Sequence, residues 1–212
     1  IRKRLEKLEN SPSRDRIGES VDVCANEVQR LDGIISHFLQ AIRPQDPDLQ
    51  DVSLLEVLTE VLRFQSNEIH DLGIELDVEL KAEVPLILGD RNQLKQVFFN
   101  LTKNAMEAMD SGGDLRITAS SDDEFVFVYI ADTGVGMSQD DVARVFNPYF
   151  TSKASGHGLG MMIVHRILRA HGAQIGIDSR AGQGTVVTLQ FPQKSRRFRM
   201  LGVIDDYTRA CI

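Results

Sequence analysis

The chain has 212 residues, 42% hydrophobic and 26% charged, with a formal net charge of −7. That length allows one large or two small domains with a real core. The acidic balance argues against a nucleic-acid or anionic-membrane surface as the default partner, so any bound anion must be held by local donors. Two cysteines, Cys24 and Cys211, are no disulfide framework or metal cluster and suit a reducing compartment. No apolar run approaches the ~20 residues that span a bilayer, and no signal peptide is visible. The first residue is Ile1, so the sequence reads as a fragment of a cytoplasmic protein whose remainder has room for a membrane anchor.

Ile17, Val21, Cys24, Val28, Leu31, Ile35, Phe38 and Ile42 alternate in steps of four and three, a heptad seam. Ile1, Leu5 and Leu8 use the same spacing ahead of "NSPSRD". The pattern predicts two antiparallel helices over residues 1–45. Their exposed stripe either pairs with a second copy as a four-helix bundle or packs on its own domain; the homodimer is preferred. "RPQDPDLQD" at 43–51 is a boundary. A helix is predicted from Val52 to His70, a strand over 73–80, and a helix over 91–109 ended by "SGGD". "LRITAS" and "EFVFVYIAD" read as paired strands. A helix after "GHGLGM" runs to about His171, where Gly172 stops it. "AQIGIDS" and "GTVVTLQF" follow as the last two strands, joined by a glycine turn. Helices mixed with mostly antiparallel strands point to an α+β fold, a sheet with helices on one face.

Four patterns carry candidate chemistry. Asn100 and Asn104 share one side of the 91–109 helix, and amides at that spacing suit a cation together with phosphate oxygens. Lys103 and Glu107 form an i,i+4 pair beside them. Asp132 ends an apolar strand and precedes Gly134 and Gly136; its carboxylate suits an exocyclic amine, with glycine backbone flat against a base. Gly156, Gly158 and Gly160 introduce a helix, whose amides and dipole suit phosphate. Between these lies "NPYFTSK", a lid from Phe146 to His157 from which Lys153 reaches toward phosphate. Each pattern alone has an ordinary explanation: a polar helix face, a capped turn, or a glycine-rich surface loop.

Their order is more specific. An asparagine helix, DxGxG, FxxxF and GxGLG in succession resemble the four boxes of the Bergerat ATP-binding superfamily: sensor histidine kinases, Hsp90-type chaperones, type II topoisomerases and mismatch-repair ATPases. The resemblance covers residues 46–192. "DRNQLKQVFFNLTKNAMEAM", "VFNPYFTSK" and "GLGMMIVHRILRAHGA" are similar to histidine kinases of the nitrogen-regulation-like kind with a short lid. It implies a two-layer α/β sandwich, a mixed sheet with helices on one face, over 46–194. The hairpin at 1–45 would be part of a dimerisation and phosphotransfer domain.

The resemblance also implies roles. Asn104 would ligate Mg²⁺, helped by Asn100, with Lys103 in the same catalytic stretch. Asp132 would receive the adenine amino group of ATP, and Gly134 and Gly136 would shape the base pocket. Lys153, Gly156, Gly158, Leu159 and Gly160 would surround the phosphates, Thr185 would support the adenine side, and Phe146 and Phe150 would anchor the lid. A receiver domain of a response regulator would be the partner. Superfamily members that hydrolyse ATP carry a glutamate where this chain has Asn100, and an amide cannot act as general base.

The family's acceptor histidine, followed by an acidic residue, has no counterpart among His37, His70, His157, His165 and His171. His37 lacks the acidic neighbour, and His171 reads as a helix-end residue favoured by the dipole. The expectation is a kinase fragment beginning after its acceptor, with a nucleotide-binding scaffold or pseudokinase as the alternative. The tail, 195–212, is of unclear role. "LGVIDDYTRACI" resembles the first catalytic strand of integrase-type transposases. With the rest of that core absent it implies no nuclease; a gene truncated by an inserted element or an extra edge strand would account for it.

Overall fold

The computed structural model describes residues 46–193 apart from 81–83, 152 and 154–157, together with Ser20, Val21 and Val23, which are helical. The predicted hairpin otherwise lies outside the described residues, as do the tail, His37, Gly156 and His157. The chain divides into two compact units, Ile1–Pro44 and Gln45–Ile212.

In the second unit, Ser53 accepts a hydrogen bond from Glu56 N at 3.3 Å and so caps helix α1, Leu54–Asp71. Its buried residues, Leu54, Val57, Leu58, Val61, Leu62, Gln65 and Ile69, follow steps of three and four. Val52, expected in this helix, instead ends strand β1, Gln50–Val52, because the Ser53 cap fixes the helix start at Leu54. Strand β2 is Ile74–Leu80. Strand β3, Ile87–Gly89, pairs antiparallel with β1 in a two-stranded sheet that the sequence did not announce. The pairing sets Val52 opposite Ile87, both buried.

Directly after β3, Asp90 caps helix α2, Arg91–Glu107, accepting from Asn92 N at 2.9 Å and Gln93 N at 3.1 Å. The end of α2 differs from expectation. Ala108 caps it in a right-handed conformation, and Gly112 and Gly113 come later, with positive φ, where the chain turns into strand β4, Gly113–Ser121. Strand β5 is Phe125–Asp132, followed by a short helix α3, Gln139–Arg144, also missed from sequence. Helix α4 is Gly160–Ala170, and β6, Gln174–Arg180, and β7, Gly184–Pro192, close the domain.

The main sheet has the order β2-β4-β5-β7-β6. Only β2 with β4 is parallel; the other pairings are antiparallel. Alternation decides its faces. Leu115, Ile117, Val126, Val128, Ile130, Leu189 and Phe191 are buried, while Phe125, Phe127 and Tyr129 alternate with them along β5. Helix α2 packs on both α1 and α4, and its Leu94, Val97, Phe98 and Leu101 are buried. Each fully buried side chain of this size contributes about 1.5–3 kcal/mol of transfer free energy. Across the α1–α2 seam Thr102 Oγ1 donates to Gln65 Oε1 at 2.6 Å, with both residues buried, while Arg91 and Lys95 pair with Glu56 and Glu60 at its exposed edge. This is the expected α+β arrangement.

His171 departs from its sequence reading. It does cap α4, but it is buried, and its Nε2 accepts a hydrogen bond from Asp90 N at 2.9 Å. An acceptor nitrogen has no proton, so Nδ1 carries it and donates to Ile167 O at 2.8 Å. The ring is therefore neutral. It ties the end of α4 to the start of α2 instead of offering charge to a helix dipole.

Candidate functional site

Helix α2 buries Leu101, Thr102 and Ala105 and turns Asn100, Lys103, Asn104 and Glu107 the other way. Asn100 and Asn104 are half-buried. At one end of this face, Gly160 opens α4 beside Asn100: a Cβ on Gly160 would lie 3.5 Å from Asn100 Oδ1. At the other end, Val135 N donates to Ala108 O at 3.0 Å, holding the DxGxG loop on the end of α2. Eight residues separate Asn100 from Ala108, about 12 Å of helix. The two glycine clusters therefore bound one polar helix face.

Asp132 stands at the end of β5, in register with Thr185 of β7, which in turn faces Ser179 of β6. Its Oδ1 accepts from Gly134 N at 2.9 Å, and Thr185 N also donates to the carboxyl. Burial nevertheless raises its pKa above the ordinary aspartate value; the two amide donors and the Lys153 charge oppose the rise only in part. A half-buried carboxyl between backbone donors, with free acceptor capacity, suits a neutral N–H donor from a flat base.

Ser179 was not singled out from sequence, yet it organises this corner. It is buried, and its Oγ accepts from Met137 N at 2.9 Å, donates to Gly184 O at 3.0 Å and pairs with Thr185 Oγ1 at 2.9 Å. One serine among polar strand residues has no local signature; the register Ser179↔Thr185 is its only signal. Gly136 has φ +63°, and a Cβ there would run into the Arg180 carbonyl. Only glycine lets this loop turn against the β6–β7 hairpin.

Of the lid residues, Phe146 packs on the His165 ring of α4, 4.9 Å between centroids. Phe150 lies under the Arg144 guanidinium at 4.7 Å. Tyr149 N donates to Gly158 O at 3.0 Å. Gly158 has φ +65°, and a Cβ there would strike the Tyr149 and Phe150 backbone. Gly158 thus closes the loop on the FxxxF stretch. Leu159, predicted beside the phosphates, is buried as a whole residue. Leu159 starts α4 without a side-chain cap, so the first amides of the helix are left for another acceptor.

Lys153 does not extend into open space. Its Nζ lies 2.7 Å from Glu107 Oε2 and 3.4 Å from Asn104 O. Lys103 is on the other side of the same carboxylate, 3.9 Å from Oε1.

For a divalent cation, the donors on offer are the Asn100 and Asn104 amide oxygens. Among the described residues no group of three or more His, Cys, Asp or Glu could hold a metal. Two neutral oxygens on one helix face fit Mg²⁺, which keeps most of its waters and takes the rest of its ligands from phosphate; they do not fit a dedicated protein cage.

The α+β sandwich, the asparagine face and the Asp132 corner define an ATPase-type nucleotide fold, and comparison with known proteins places it. Residues 89–195 match the family described as histidine kinase-, DNA gyrase B-, and HSP90-like ATPase. The chain is 33% identical over 184 residues to the sensor histidine kinase ZraS of Escherichia coli (strain K12), 87% of this chain and 40% of that protein. It is 31% identical over 172 residues to sporulation kinase E of Bacillus subtilis (strain 168), 81% of this chain and 23% of that protein. Among solved structures, full-length ShkA in complex with AMPPNP superposes with a TM-score of 0.71 at 27% identity, covering 89% of this chain and 40% of that one. The catalytic domain of the histidine kinase ThkA has a TM-score of 0.62 at 29% identity, covering 69% of this chain and 96% of that one. The chain belongs to this ATPase family and carries the catalytic domain of its histidine kinase branch. It spans less than half the length of these two curated relatives. Among the described residues no helix is long and apolar enough to cross a membrane.

Proposed function

We propose that this chain is the ATP-binding catalytic region of a cytoplasmic sensor histidine kinase module. It transfers the γ-phosphoryl group of Mg-ATP to a histidine, for relay to an aspartate on a response-regulator receiver domain. The observation that carries the reading is the Asp132–Thr185–Ser179 row set at one end of the Asn100–Asn104 face. Asp132 accepts the adenine amino group, and Gly134 and Gly136 let the base lie against backbone. Asn104 and Asn100 hold Mg²⁺ and phosphate oxygens, the first amides of α4 take the phosphates with Lys153, and Lys103 adds positive charge to the same face. When bound, Mg²⁺ neutralises phosphate charge. Asn100 has no basic lone pair with which to activate water, so the site keeps ATP intact until a histidine is presented.

The heptad stripe at 17–42 supports a homodimer through residues 1–45. A complex of the histidine kinase ThkA with the response regulator protein TrrA has the same fold at 24% identity and a TM-score of 0.70. The receiver-domain partner rests on the family and on that example.

Calorimetric titration with ATP, with and without Mg²⁺, tests the site, and radiolabelled transfer to a separately supplied acceptor helix tests the reaction. Mg²⁺-dependent binding lost in Asp132→Asn, followed by labelling of the helix, is the expected result. No binding by the intact chain would sink the reading, and binding without transfer would make the chain a nucleotide-binding scaffold.

A further inference from the structure

Glu107 is the one carboxylate on the asparagine face of α2, a place where phosphate is to be bound. It lies three residues beyond Asn104 and between two ammonium groups, Lys153 at 2.7 Å and Lys103 at 3.9 Å. Lys153 Nζ also reaches Asn104 O, at 3.4 Å. The lysine assigned to phosphate is thus already engaged, and its ammonium rests against the main-chain carbonyl of Asn104.

We infer that Glu107 is a positioning residue that competes with nucleotide phosphate for the Lys153 ammonium. Without nucleotide, Glu107 holds Lys153 beside Asn104. With ATP, the ammonium turns from the carboxylate to the more highly charged phosphate chain. Lys103 stays within reach of Glu107, so the carboxylate is not left without a counter-ion. The pair therefore keeps Lys153 close to its destination and sets a threshold against weakly charged ligands. This inference rests on the nucleotide reading above.

The sign of the effect separates competition from simple support. If Glu107 competes, neutralising it frees Lys153, and phosphate-bearing ligands bind more tightly. Both partners are partly exposed, 33% for Lys153 and 41% for Glu107, and exposed pairs of this kind set the size at about two- to fivefold in Kd.

The test is calorimetry on the full chain with ATP, ADP and adenosine, for wild type, Glu107→Gln, Lys153→Met and the double variant. Glu107→Gln is expected to tighten ATP and ADP about two- to fivefold and to leave adenosine unchanged. In the Lys153→Met background the same substitution is expected to do nothing. Equal or weaker ATP binding by Glu107→Gln overturns the inference. So does an equal gain for adenosine, or a gain that persists without Lys153. Failure of the wild type to bind ATP at all is a different result, and it removes the nucleotide reading together with this one.

Discussion

Ser179→Ala removes a single oxygen, and the structure says what that oxygen does. Its two acceptor positions are used by Met137 N and by the Thr185 hydroxyl, and its proton goes to Gly184 O. A serine hydroxyl has one donor and two acceptor sites, so all three are filled. In the alanine variant the Thr185 hydroxyl can turn to one of the abandoned partners, which leaves one or two polar groups without a bond in a buried corner. Each costs about 1–3 kcal/mol, and the sum is about 2–4 kcal/mol. With a urea m-value of about 2 kcal/mol/M, the unfolding midpoint should fall by about 1–2 M with m unchanged. Met137 also loses its hydrogen bond to the β6–β7 hairpin, leaving the loop held there by Gly182 N to Val135 O, so Mg-ATP affinity should drop severalfold in the same variant. Urea titration of the wild type and of Ser179→Ala decides the matter. A midpoint shift under about 0.3 M, with nucleotide affinity unchanged, would refute the claim that this hydroxyl organises the corner.

Three further outcomes are expected. Burial raises the pKa of Asp132, so its folded value lies above its unfolded one. The stabilising contribution linked to this group is then fully present below the unfolded pKa and is lost as pH rises through the folded pKa. Base recognition needs the ionised form, so ATP affinity should weaken with falling pH at a higher pH than an ordinary aspartate would give; a flat profile down to the usual carboxylate range, near 4, would contradict this. His171→Ala orphans the part-buried Asp90 N–H and empties the space beside Gly89 and Leu94, and should cost about 3 kcal/mol in chemical denaturation. Gly158→Ala forces a Cβ against the Tyr149–Phe150 backbone at φ +65°. It should lower stability by about 1–3 kcal/mol in thermal unfolding and weaken ATP binding, while Gly182→Ala, with open space around it, should keep nucleotide affinity.

The sequence by itself determined the helices and strands that carry strong periodicity. The three-and-four spacing of α1, α2 and α4 and the alternation of β4, β5 and β7 are local patterns, so they are legible without a partner. It also marked Asn100, Asn104, Asp132 and the glycines, because unusual residue types at short fixed spacings stand out. Strands β1 and β3, three residues each, are too short to show a period and exist only through each other. Only the tertiary structure decided that Asp132, Thr185 and Ser179 form one row across three strands, that the His171 ring meets Asp90 81 residues away, and that Lys153 rests on Glu107 46 residues away. These contacts depend on strand register and helix packing. A hydrogen bond is made by whichever donor and acceptor the folded backbone brings within about 3 Å, and nothing in the local sequence of either partner specifies the other.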